Sequence, residues 1–131
     1  MRIIKKETDY ALRALFFIKE RGGRAAISQI YSNIRAPRPF LRKILQLLAR
    51  AGILYSSRGK NGGFEFKIPF EKISLAVLNE VFDERTPPGG CPFKNRICAN
   101  YHTCSLKSKI AALENETYKR LEKTYIKDLW G

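Results

Sequence analysis

The chain has 131 residues, 44% of them hydrophobic and 28% charged, with a formal net charge of +13. That length allows one domain with room for an appendage, and the composition is that of a globular chain. It contains no run of 18 apolar residues that could span a membrane, and its excess of cations points to a polyanionic partner.

The start, Met1-Arg2-Ile3-Ile4-Lys5-Lys6, is basic, but Asp9, Arg13 and Lys19 interrupt the next stretch and no small-residue cleavage site appears. This is not a signal peptide, so a cytoplasmic protein without membrane association is expected. Thr8 suits the N-cap of a first helix from Asp9 to Arg21, which Gly22-Gly23 stops. Tyr10, Leu12, Leu15, Phe16, Phe17 and Ile18 cover more than one face of that helix, which predicts burial on two sides. Ser28 suits the cap of a short second helix through Asn33, with Ile30 and Ile34 inward. Arg35-Ala36-Pro37 is a turn, because a proline disfavours helix in the residue before it.

The third helix runs between Arg38 and Ala51, with Pro39 in its first turn and Gly52 just past its end. Leu41, Ile44, Leu45 and Leu48 form its apolar stripe, which pushes Arg42, Lys43, Gln46 and Arg50 to the other side. Ile53-Leu54-Tyr55 begins a strand, Gly59-Lys60-Asn61-Gly62-Gly63 is a tight turn, and Phe64, Phe66 and Ile68 alternate on a returning strand. Two helices joined by a tight turn and followed by a hairpin are the layout of a winged helix-turn-helix, mainly α with a small β-hairpin wing. Between Arg35 and Lys67 there are eight cations against the single acid Glu65, a net +7 of the chain's +13. Double-stranded DNA is the expected partner, with Arg38, Arg42, Lys43 and Gln46 on the helix and Arg58 and Lys60 on the wing as candidate contacts. A solvated charged face is the plain alternative for one basic helix, but it does not account for two further cations on the adjoining turn.

Past the wing, Pro69 ends the strand and Ser74 caps a helix whose Leu75, Val77, Leu78, Val81 and Phe82 are expected to pack inward. Residues 85–104 read as a loop, rich in Pro and Gly at its start. From Ser105 to about Leu129 there is no Gly or Pro, and Leu106, Ile110, Leu113, Thr117 and Leu121 recur at helical spacing. One helix of roughly 25 residues, about 37 Å long, is expected there, more than one small domain can shield. A homodimer is the natural cover, and its two recognition helices would require a near-palindromic operator. The chain thus divides into a DNA-binding domain over 1–84, a cysteine-bearing loop over 85–104 and a dimerisation helix over 105–131.

All three cysteines, Cys91, Cys98 and Cys104, fall within fourteen residues, an odd number in a chain expected to sit in a reducing compartment. Their gaps of six and five residues are longer than the close pairs of zinc knuckles and suit an iron-sulfur cluster better. Zinc and reactive thiols are the competing readings. The residues alone leave the fourth ligand open between His102 and a carboxylate from elsewhere in the fold. Asp9 has an ordinary explanation as a carboxylate beside a positive helix end. With one histidine, no paired acids and no phosphate-binding glycine pattern, an enzyme is not expected.

These features together resemble the Rrf2 family of winged-helix transcription regulators, in its iron-sulfur-binding branch. The likeness rests on Thr8-Asp9-Tyr10-Ala11-Leu12-Arg13, on Pro39-Phe40-Leu41-Arg42-Lys43-Ile44-Leu45, and on Leu48-Ala49-Arg50-Ala51-Gly52-Ile53-Leu54. It extends through Ser57-Arg58-Gly59-Lys60-Asn61-Gly62-Gly63-Phe64, Ile73-Ser74-Leu75 and the three-cysteine loop. The resemblance implies a homodimer crossing through the C-terminal helices, with Arg42 and Lys43 at positions that reach base edges and Arg58 at one that enters the minor groove. It also implies a 2Fe-2S or 4Fe-4S cluster held by Cys91, Cys98 and Cys104 and one further residue. In some members that residue is a histidine three places after the last cysteine, where this chain has Lys107. In others it is an acid at the start of the partner's first helix, a position Asp9 matches, with Glu7 or His102 as substitutes. The first cysteine gap is one residue longer than in the best-known cluster-binding members.

The expectation is a DNA-binding regulator, a repressor by default, whose operator affinity follows the state of an iron-sulfur cluster that responds to redox change, nitric oxide or cluster supply. One rival is a same-fold regulator that uses its thiols or a small molecule as the signal. Another is a basic RNA-binding or membrane-surface protein, which would show no preference for a palindromic duplex.

Overall fold

Leu41, Ile44, Leu45 and Leu48 set the frame of the molecule. In the computed structural model, which describes residues 4–58, 62–82 and 105–129, these four side chains lie on one face of helix α3 (Arg38–Arg50) and are fully buried. Gly52 follows at φ +81°, and the N–H groups of Gly52 and Ile53 close the helix on the carbonyls of Ala49 and Leu48.

Helix α1 (Lys6–Glu20) packs across α3 through Ala11, Ala14, Leu15 and Ile18, while Tyr10, Leu12, Phe16 and Phe17 are partly buried against the same core. The expected two-sided burial is therefore present. The cap is placed differently. Thr8 lies inside the helix, fully buried, and its hydroxyl donates to Oδ1 of Asn79 at 2.9 Å. The helix begins three residues earlier than local capping chemistry suggests, because that hydroxyl has a tertiary partner. At the other end Gly22 and Gly23 adopt φ of +86° and +99° and donate to Lys19 and Ile18 carbonyls, as a glycine stop should.

A short strand that the sequence does not announce comes next, β1 (Arg24–Ala26), and runs directly into α2 (Ile27–Asn33). Ser28 is consequently in the first turn of α2 rather than at its cap. The cap is the side chain of Gln29, whose Oε1 accepts the Ala26 N–H at 3.1 Å. Ile30 and Ile34 face the core as expected. After α3, β2 (Leu54–Ser57) and β3 (Gly63–Phe66) form the antiparallel wing hairpin, and β1 adds to its free side to give the order β1-β3-β2. Ala26 pairs with Gly63, Ala25 with Phe64 and Arg24 with Glu65. A Cβ on Gly63 would lie 2.2 Å from the Ala25 carbonyl oxygen, so the third strand docks only because residue 63 is glycine.

Phe70, in a 3-10 turn over Phe70–Lys72, is buried edge-on between the rings of Phe16 and Phe66. Ser74 caps α4 (Leu75–Phe82) by accepting the Val77 N–H. Leu75, Ala76, Leu78 and Phe82 are buried, but Val77 is exposed, contrary to expectation. At about 100° per residue it stands nearly opposite Leu75, so the other apolar positions turn it outward.

Helix α5 covers Ser105–Glu122, 18 residues and about 27 Å, rather than continuing to Leu129. Its last turn tightens through Lys123 and Thr124 N–H bonds to Arg120 and Leu121 carbonyls. The chain then returns to α4: the Thr124 carbonyl accepts the Leu75 N–H, the Ile126 N–H reaches the Ile73 carbonyl, and Ile126 is fully buried in the core. Burying Ile126 and pairing these backbone groups outweighs a few more helical residues on the surface, which is why the helix stops without Gly or Pro. Among the described residues no helix is long and apolar enough to cross a membrane.

Candidate nucleic-acid interface

The stripe that anchors α3 decides what its other side presents. Arg42, Lys43, Gln46 and Arg50 are exposed, and Arg38 and Pro39 are exposed at its N-terminal turn. No acid lies in that turn. Two aromatic contacts seat it: Phe40 meets Tyr10 of α1 edge-on at 5.4 Å, and the Arg38 guanidinium stands 5.6 Å from the centre of the Tyr31 ring on α2. Arg38 is thus partly committed to joining α2 to α3, whereas Arg42 and Lys43 project from the next turn. Among the described residues no carboxylate forms an ion pair with Arg42, Lys43, Arg50 or Arg58.

Arg58 is exposed immediately after β2. Gly52 turns the chain from α3 straight into that strand, and β2 packs on α3, so helix and wing form one continuous surface. Lys60 lies outside the described residues. Arg24 is not a candidate from sequence, because no local pattern announces β1 and the basic window begins only at Arg35. It lies on the outer strand of the sheet, and its Nη2 donates to Ser57 Oγ at 3.4 Å. The signal that could have found it is the run Gly22-Gly23-Arg24-Ala25-Ala26, a helix stop followed by residues small enough to add to a hairpin.

Of the proposed cluster ligands, Asp9 is in the first turn of α1, exposed, with Oδ2 3.2 Å from Arg13 Nη2. Glu7 is half-buried in the same turn. Cys91, Cys98, Cys104 and His102 lie outside the described residues. Among the described residues, no three His, Cys, Asp or Glu side chains converge to hold a metal. The start of α1 is fastened to the end of α4 by the Thr8–Asn79 hydrogen bond and by Lys5 Nζ donating to the Phe82 carbonyl at 2.9 Å. Phe82 is the last described residue before the cysteine-bearing segment.

The comparisons with known proteins agree with this geometry. Residues 4–131 match the Rrf2 family model, described as an iron-dependent transcriptional regulator. The HTH-type transcriptional regulator NsrR of Oceanobacillus iheyensis is 30% identical over 138 residues, covering 96% of this chain and 88% of that protein. The oxidized form of Staphylococcus aureus CymR superposes with a TM-score of 0.70 at 19% identity, over 98% of this chain and 95% of that one. The T. potens IscR structure gives 0.72 at 16% identity, over 96% and 84%. These two likenesses establish the winged-helix fold, and the family match over nearly the whole sequence establishes the rest: this chain belongs to the Rrf2 family of DNA-binding transcriptional regulators.

Proposed function

We propose that the protein is a homodimeric regulator, a repressor by default, that reads a near-palindromic operator and responds to an iron-sulfur cluster bound by its cysteines. The observation that carries the DNA reading is the exposed face of α3, where Arg42, Lys43 and Gln46 stand clear of any carboxylate among the described residues, on a helix whose other side is fully buried. A rigid helix of that kind positions side chains for base edges in the major groove. Arg58 on the wing would then enter the adjacent minor groove, where a cation gains most if the groove is narrow. Lys60 and Arg38 would contribute phosphate contacts.

Three thiols and a carboxylate fit iron in a cluster by donor chemistry, the carboxylate being the weaker hold. Asp9 is accessible for this role. Its pair with Arg13 is an exposed i,i+4 contact of about 0.3–0.5 kcal/mol, too little to withhold the carboxylate from a metal. A bound cluster would supply redox-active iron. The chain's own contribution would be to hold Asp9 in place, through the partly buried Thr8–Asn79 bond that ties the first turn of α1 to α4. Regulation would follow if ligand engagement at this turn favours one spacing of the two winged domains over another. The domain limits 1–84, 85–104 and 105–131 belong to the same proposal.

A second reading, in which the thiols themselves or a small molecule carry the signal, needs no carboxylate ligand and leaves the Asp9–Arg13 pair intact. Anaerobic purification separates the two. Visible absorption with acid-labile sulfide, lost in Cys98→Ala while the dimer persists, supports the cluster. A colourless protein whose DNA affinity follows thiol oxidation supports the second reading.

A further inference from the structure

We propose that the DNA-contacting surface extends beyond α3 and the wing onto the outward face of the three-stranded sheet, where Arg24 takes a phosphate. The inference rests on the DNA reading above and adds a residue to it. Arg24, Glu65 and Tyr55 are paired in register across β1, β3 and β2, so the pleat places all three on one face. The next pairs along, Ala25 with Phe64 and Phe64 with Ser56, bring buried Ala25 and Phe64 to the opposite face, and Leu54 is buried there too. The Arg24 row is therefore the solvent side, and Tyr55 is 56% exposed on it.

The side chain of Arg24 does not simply stand over its own row. Ser57 pairs with Gly63, two residues nearer the wing tip than Glu65, and Arg24 Nη2 reaches Ser57 Oγ. The guanidinium is thus drawn diagonally across β3 toward the root of the wing, and Ser57 is the residue just before Arg58. Gly63, in the row it crosses toward, has no side chain. At 3.4 Å the Ser57 contact is a long hydrogen bond, made by a planar group whose five N–H donors suit phosphate oxygens. Arg24 sits three residues ahead of α2, on the same end of the sheet-to-helix junction that leads into the helix-turn-helix.

The competing explanation is that Arg24 only offsets Glu65, its cross-strand neighbour and the one acid in the basic window. The test uses the full chain and a mixed-sequence duplex of about 30 base pairs, with affinity followed by fluorescence anisotropy across a salt series. A phosphate contact contributes about 0.9 to the slope of log K against log salt. Arg24→Gln, which removes one contact from each protomer of the proposed dimer, should therefore reduce the slope by about 1.8, Arg24→Lys should restore it, and the order of preferred sequences should not change. Because Arg24 is exposed, thermal melting of the variants should match the parent. An unchanged slope in Arg24→Gln overturns the inference, as does a parental slope in Arg24→Gln/Glu65→Gln, which would assign Arg24 to charge balance. A parent that binds no duplex would overturn the DNA reading itself, a different result from either.

Discussion

Helices α3 and α5 are built to the same local recipe and have opposite fates. Both carry apolar residues at helical spacing, yet the 13-residue α3 buries four of them completely, and the 18-residue α5 has no buried residue. On α5, Leu106 and Leu113 are 51% and 58% exposed. It is held to α4 by the Tyr118 hydroxyl bonded to the Glu80 carboxylate and by Leu121, which packs on the core edge. The difference shows which apolar stripe the fold uses and which it leaves over. An α3 stripe satisfied within the chain leaves the opposite face free for a polyanion. An open α5 stripe is what a second copy would cover in the proposed dimer.

The contrast can be broken most directly at Leu48. Leu48→Ala should cost about 2–5 kcal/mol of unfolding free energy in urea titration, as a fully buried leucine does. A cost within about 0.5 kcal/mol, the usual range for surface positions, would mean that α3 is not the central core element. The next largest effect is on association. If the α5 stripe is the dimer seam, replacing Leu106 and Leu113 with lysine should remove about 1.5–3 kcal/mol of association free energy per leucine. Sedimentation should then show monomers with the helical content of the parent. Dimers that persist unchanged would locate the seam elsewhere.

Arg42→Ala tests the other side of the comparison. It should relax sequence preference by about 1–3 kcal/mol for a lost bidentate base contact, read by competition among operator variants selected from random duplexes. An unaltered preference would show that α3 docks by another face. The smallest effect is at the junction of the two readings. Asp9→Asn should change thermal stability by only about 0.3–0.5 kcal/mol, since it breaks an exposed pair with Arg13, yet should lower iron content after anaerobic purification. Iron content equal to the parent's would remove Asp9 from the ligand set.

Much of the fold is readable from residue order. The burial of Leu41, Ile44, Leu45 and Leu48, the exposure of Arg42, Lys43 and Gln46, and the left-handed Gly52 all come from spacing and backbone stereochemistry within a dozen residues. The cap at Ser74 is legible for the same reason. The candidate interface is legible because charge on an amphipathic helix has only one place to go once the apolar side is known. The cysteine set rests on the sequence alone, since its members lie outside the described residues. What local pattern misjudges is equally specific: Thr8 and Ser28 as caps, Val77 as core, and α5 as an unbroken helix to Leu129.

Most of those errors have their cause in residues far away in sequence. Thr8 is claimed by Asn79, 71 positions on, and Arg24–Ala26 becomes a strand only because Gly63 admits the Ala25 carbonyl. The chain leaves α5 where Ile73 and Leu75 offer backbone partners and the core has room for Ile126. Sequence by itself therefore determined the helix faces, the turns and the charge they display, since these depend on side-chain period and on φ, ψ preferences within a few residues. Tertiary structure alone decided the third strand, the true helix ends and the placement of Arg24 beside the wing, because a short segment with weak intrinsic preference takes whatever conformation lets distant groups satisfy its hydrogen bonds and bury its apolar atoms.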